Sequence, residues 1–83
     1  ALRRALVADG YAFVRQAAAE ALAARPGSGD VPSLEAALAS DDEPRVRAAA
    51  ARGLLALGGA VAERARQLAE ADRSARVRRL VDP

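Results

Sequence analysis

The side chains able to do chemistry in this 83-residue chain are carboxylates, guanidiniums and a few serines. Asp9 and Arg15, Asp41 and Arg47, and Asp72 and Arg78 each stand six residues apart. Such pairs could be functional charges or structural ion pairs, and three copies in register favour the structural role. Asp41, Asp42 and Glu43 could offer oxygens to a hard cation such as calcium or magnesium. No further acid follows at a ligand spacing in the same loop, so the run reads as the acidic start of a helix. Glu63 with Glu70, or Asp30 with Glu35, would form an acid–base couple only in a cleft that raised one pKa. Solvated helix faces account for them better. Ser28, Ser33, Ser40 and Ser74 fall in loops or at helix starts and read as turn and capping residues.

What is missing narrows the chemistry further. The chain has no His, Cys or Lys, and all 13 basic residues are Arg. Ordinary zinc, copper and haem ligation therefore lacks its donors. A serine nucleophile lacks its activating base, and Schiff-base chemistry lacks its amine. Pro26-Gly27-Ser28-Gly29-Asp30 has neither the preceding strand nor the Lys of a phosphate loop and reads as a helix connector. Arg73, Arg76, Arg78 and Arg79, with Arg64 and Arg66 one helix earlier, could hold phosphates. No aromatic residue interleaves them for base stacking, and 13 basic against 11 acidic residues leave a net charge of only +2. No catalytic, cofactor-binding or metal-binding residue is nominated.

The elements that must position these side chains follow from an internal repeat. Leu2, Leu6, Asp9, Val14 and Arg15 recur 32 residues on as Leu34, Leu38, Asp41, Val46 and Arg47, and Asp72, Val77 and Arg78 repeat the last three after a further 31. Each unit reads as two helices. Asp41-Asp42-Glu43-Pro44 starts one, with Pro in its first turn. Val46, Ala49, Ala50, Gly53, Leu54 and Leu57 form its apolar stripe, and Gly58-Gly59 stops it. A second helix is predicted from Ala60 to Ala71, with Val61, Ala65, Leu68 and Ala69 on one face. The earlier unit is parallel: a helix from Tyr11 to Arg25, then a shorter one capped by Asp30 and carrying Val31, Leu34, Ala37 and Leu38. A half unit, Ala1 to Ala8, precedes them, and another, Ser74 to Val81, follows. The boundaries are a half repeat at 1–9, repeats at 10–41 and 42–72, and a half repeat at 73–83, in a single domain.

The run Asp41-Asp42-Glu43-Pro44-Arg45-Val46-Arg47-Ala48-Ala49-Ala50 resembles the core of a HEAT repeat, closest to the short bacterial variety also found in phycobilin lyases. Asp9, Val14, Arg15, Ala17 and Ala18, and again Asp72, Val77 and Arg78, look like further copies. The resemblance implies an all-α fold, an α-solenoid of stacked antiparallel helix pairs. It also implies that Asp9, Asp41 and Asp72 hydrogen-bond with Arg15, Arg47 and Arg78 as a ladder between neighbouring repeats. Gly53 departs from the pattern, since its counterpart is Ala21 and Gly in a helix interior costs about 1 kcal/mol relative to Ala. Arg79-Leu80-Val81 also departs, standing where an Ala run is usual.

Each unit has an apolar face that only a stacked neighbour can cover. Neither end of the chain is obviously capped: Leu2, Leu6 and Val7 at one end, and Val77, Leu80 and Val81 at the other, are expected to stay partly exposed. The chain therefore reads as a stretch of a longer array, or as one that self-associates through an end. No membrane-spanning or signal segment is visible, and the expected compartment is the cytoplasm. In such solenoids the second helix of each unit lines the concave surface, where partners lie. That alignment sets Arg3 with Glu35 and Arg66, and Arg4 with Ala36 and Gln67; with Arg79 these polar residues are the candidate partner-binding set. The expected function is a protein-binding scaffold without catalysis or cofactor. A nucleic-acid-binding module using the clustered Arg, or an accessory domain of an enzyme such as a bilin lyase or tRNA-modifying protein, are the alternatives.

Overall fold

A computed structural model describes residues 10–24 and 30–82. Five helices follow in order: α1 (Ala12–Ala24), α2 (Val31–Ser40), α3 (Pro44–Leu57), α4 (Gly59–Glu70) and α5 (Ala75–Arg78). The architecture is all-α, helix-stacked and solenoid-like. α1, α3 and α5 form one row, α2 and α4 the other, and α3 packs against all four of the others. The predicted half unit 1–9 lies outside the described residues, and with it Leu2, Leu6, Val7 and Asp9.

The core is made of small residues. Leu22, Leu34, Leu38, Leu54, Val46 and Val77 are its large members, and the rest is Ala from α1, α2, α3 and α4. Ala costs little side-chain entropy in a helix and lets backbones come close. The closest approach explains Gly53. A Cβ there would lie 2.7 Å from the Ala23 Cβ and 3.0 Å from its Cα. The helix-weakening residue is thus required where α1 and α3 meet.

The helix boundaries have local causes. Pro44 occupies the first turn of α3, and Glu43 caps it by accepting from the Arg45 N–H at 3.4 Å. Gly58 closes α3 and opens α4 with φ 72° and ψ −174°, a conformation essentially restricted to glycine, and Gly59 follows at φ 60°. α4 therefore begins at Gly59, one residue before its predicted start.

Several expectations are corrected. Asp30 precedes α2, but its side chain makes no capping hydrogen bond. Its backbone is already helical (φ −91°, ψ −17°), whereas capping needs an extended residue. Leu57 continues the apolar stripe of α3 in sequence but is 39 % exposed. Leu68 was expected on the buried face of α4 and is 40 % exposed, because α2 and α4 are splayed while α1 and α3 close together. Val77 was expected to be partly exposed and is fully buried, since α5 packs on α3. The last half unit is a four-residue helix followed by turns at 79–81, with Leu80 and Val81 leaning on the core.

Candidate functional site

The most ordered polar feature is a line of arginine–aspartate contacts along the α1/α3/α5 row. Arg15 of α1 donates Nε and Nη2 to the two Asp41 carboxylate oxygens, at 2.8 and 3.0 Å. Arg47 of α3 donates the same atoms to Asp72, at 2.9 and 3.0 Å. Each carboxylate also accepts from the backbone N–H two residues on, Glu43 for Asp41 and Ser74 for Asp72, both at 2.9 Å. The remaining arginine nitrogen anchors the side chain on the loop before its own helix. Arg47 Nη1 donates to the Asp41 and Asp42 carbonyls at 2.7 and 3.1 Å, and Arg78 Nη1 donates to the Asp72 carbonyl at 2.8 Å. The aspartate six residues before an arginine thus supplies its carbonyl, while the carboxylate comes from the following loop. Asp9 lies outside the described residues.

Electrostatics match the geometry. Burial pushes the carboxyls of Asp41 and Asp72 up, and this is the largest single influence on each. For Asp41 the hydrogen bonds from Arg15 and the Glu43 N–H, with the charges of Arg15 and Arg47, outweigh it. For Asp72 the hydrogen bonds from Arg47 and the Ser74 N–H, with the charges of Arg47 and Arg73, do the same. Both carboxyls therefore sit below the ordinary aspartate value of 3.8. These acids are consumed by structural bonds. Among the described residues no group of three or more acidic side chains is placed to hold a metal ion.

A second feature lies on the other row. Glu35, Ala36 and Ala39 of α2 face Arg64, Gln67 and Leu68 of α4 across an open, mainly apolar groove of about 510 Å³. Arg64 Nε donates to Glu35 Oε2 at 2.9 Å and bridges the groove at one end. Ala39 and Leu68 also line a more polar crevice of about 410 Å³ that includes Asp42, Arg47 and Arg73. The two hollows therefore adjoin.

Of the nominated partner-binding residues, Glu35 and Gln67 come together in this groove. Arg66 and Arg79 are exposed but do not line it, and Arg3 and Arg4 lie outside the described residues. Ala39, Arg64 and Leu68 are the groove residues that the sequence alignment missed. Shifting by one repeat sets Arg66 opposite Glu35, but two residues along a helix turn a side chain by about 200°, and Arg64 is the one that points across. The signal was present in the sequence as a second Arg beside the aligned one. Of the arginine cluster, Arg66, Arg76 and Arg79 are exposed and make no ion pair among the described residues, whereas Arg64 and Arg78 are engaged.

No helix among the described residues is long and apolar enough to cross a membrane. The family model described as HEAT repeats matches residues 1–55 of the chain. No curated protein and no solved structure matches it significantly.

Proposed function

Because this chain belongs to the HEAT-repeat family, we propose that it is a protein-binding scaffold module that offers the α2/α4 face to a partner. The observation that carries the reading is the α2/α4 groove. Leu68, Ala36 and Ala39 give it an apolar floor, Glu35, Arg64 and Gln67 give it a polar rim, and Leu68 is 40 % exposed on that floor. An apolar centre with a polar margin is the anatomy of a protein interface. The core beneath is built from Ala and braced by buried arginine, so binding orders little that is not already ordered.

On this reading Asp9, Arg15, Asp41, Arg47, Asp72 and Arg78 are structural, the repeats run over 10–41 and 42–72 between two half repeats, and the chain works in the cytoplasm without catalysis of its own. Its kinship to the phycobilin-lyase type of short repeat rests on the run Asp41 to Ala50. A second reading, nucleic-acid binding, is favoured by one observation: Arg66, Arg76 and Arg79 are exposed without ion partners among the described residues.

The test is capture of partners by the tagged full-length protein from a lysate of its source organism, with and without nuclease. The baits are the natural chain, Leu68→Glu, and the combined Arg66→Glu and Arg79→Glu. A defined protein that survives nuclease and is lost with Leu68→Glu supports the scaffold reading. Retention that disappears with nuclease, falls with rising salt and depends on the two arginines overturns it in favour of nucleic acid.

A further inference from the structure

Acids and arginines are shared unevenly between the two rows. α3 carries Arg45, Arg47 and Arg52 and no acid, and α5 carries Arg76 and Arg78 and no acid. On the other row, α2 has Glu35 and no arginine, and α4 sets Arg64 and Arg66 among Glu63 and Glu70. Arg47 and Arg78 are held on the loops before their own helices. Arg45, Arg52 and Arg76 are exposed instead, and none of the three makes an ion pair among the described residues. We propose that these three form a docking surface for the phosphate backbone of double-stranded nucleic acid, on the α3/α5 row and apart from the α2/α4 groove.

The placement follows from helix geometry. Arg45, Arg52 and Ala56 stand seven and four residues apart and are all exposed, so they make one stripe along α3. α3 packs against all four other helices, and this stripe, with Leu57 at its end, is what they leave exposed. Two turns separate Arg45 from Arg52, about 10 Å along the axis. Arg76 repeats the place of Arg45 one layer on, 31 residues later, and packed helices lie about 8–10 Å apart. Arg79 is not counted, because its register counterpart Ala48 is buried. α1 edges the surface with Phe13 in register with Arg45 and Glu20 in register with Arg52. Glu43 accepts from the Arg45 N–H, and Asp42 lines the crevice beside Leu68.

What lies between the cations decides the partner. No exposed large apolar residue stands among them, and Val46 and Val77, their neighbours in sequence, are buried. A protein partner binds on apolar or aromatic anchors at the centre of the contact. A bilayer surface takes an apolar face, and single strands take aromatic rings between the cations. A duplex backbone needs none of these. It offers one negative charge per about 1.7 Å of axis and releases counterions to each arginine that meets it. Arg45 and Arg76 also stand in the first turn of their helices, where the helix dipole disfavours a cation, so neither is there to stabilise its helix. The inference does not rest on the groove. A module with both surfaces holds a protein and a duplex at once.

Anisotropy of a labelled 20-base-pair duplex, titrated with the 83-residue chain at several salt concentrations, tests this. Three phosphate contacts predict a slope of log K against log salt of about −2.7. Each of Arg45→Gln, Arg52→Gln and Arg76→Gln is expected to make that slope shallower by about 1. The triple Gln variant is expected to bind at least about tenfold more weakly at low salt, and the triple Lys variant to keep most of the binding, since a phosphate contact needs the charge and not the fork. Arg66→Gln removes the same charge from the other row and should change affinity by less than about twofold. Leu68→Gln alters the groove and should leave duplex binding unchanged, so failure here and failure of the scaffold reading are told apart. Circular dichroism checks that every variant melts as the natural chain does. No binding at low salt, or a loss with Arg66→Gln equal to that with Arg52→Gln, overturns the proposal. So does equal or tighter binding to phosphatidylserine vesicles, to poly-glutamate or to the single strand.

Discussion

Four acceptors converge on the Arg47 guanidinium: both Asp72 carboxylate oxygens and the carbonyls of Asp41 and Asp42. The side chains of Arg47 and Asp72 are only 4 % and 7 % exposed. Truncation would strand a desolvated carboxylate and two carbonyls together. Arg47→Ala should therefore cost about 3–5 kcal/mol, the range for breaking one side of a buried pair. Arg47→Lys should recover less than half, because a point-charge ammonium cannot span a carboxylate bidentately. Arg64 gives the contrast: it and Glu35 are 56 % and 27 % exposed, and Arg64→Ala should cost about 0–1 kcal/mol. Urea denaturation measures all three, and equal losses for Arg47→Ala and Arg64→Ala would contradict the account. The same carboxylates set the acid limit. Asp41 and Asp72 have folded pKa values depressed below 3.8. A depressed carboxyl contributes stability that is present above its unfolded pKa and lost as pH falls through the folded one. The urea midpoint should thus hold its contribution from these groups at neutral pH and fall below about pH 4, and Asp72→Asn should flatten that fall while lowering stability at pH 7.

At the scale of the helix, Gly53 and Ala23 decide how near α1 and α3 can come. Gly53→Ala gains about 1 kcal/mol of helix propensity but drives a Cβ to 2.7 Å from the Ala23 Cβ and 3.0 Å from its backbone Cα. Overpacking of this kind costs about 1–3 kcal/mol. A net loss of about 1 kcal/mol is expected, partly restored when Ala23→Gly is added. A Gly53→Ala chain more stable than the natural one would show that the two helices can separate freely. This contact also marks where sequence reading stops. The helices, and the Pro44 and Gly58 that bound α3, were legible because period, propensity and turn chemistry are local. Gly53 showed only as a departure from a pattern, since its cause lies 30 residues away in Ala23. Leu68 is more exposed than its place on the apolar face of α4 suggests, for a related reason. Its apolar character fits burial, but α2 and α4 spread apart just where α1 and α3 close up, and the spacing between rows is not written in either helix. The groove was thus half legible: alignment brought out Glu35, Ala36 and Gln67, but not Ala39, Arg64 or Leu68.

The whole molecule is a short stack whose elements touch mainly their neighbours, and stability in such stacks is a sum of units and the joints between them. α3 touches every other described helix. Its amides between Arg47 and Leu54 should exchange with solvent only through global unfolding. α5 has four residues and depends on Val77 and the leaning Leu80 and Val81, so its amides should open locally at lower cost. The arginine pairs make these joints separable. Arg15 ties α1 to the Asp41 turn, and Arg47 ties α3 to the Asp72 turn that precedes α5. Arg15→Gln should speed exchange in α1 and leave α5 unchanged relative to global stability. Arg47→Gln should do the reverse, releasing α5 first. Hydrogen exchange followed residue by residue separates the outcomes. If either substitution raises exchange uniformly across α1, α3 and α5, the stack unfolds as one cooperative unit, and the arginine pairs are braces of a single core rather than joints between successive layers.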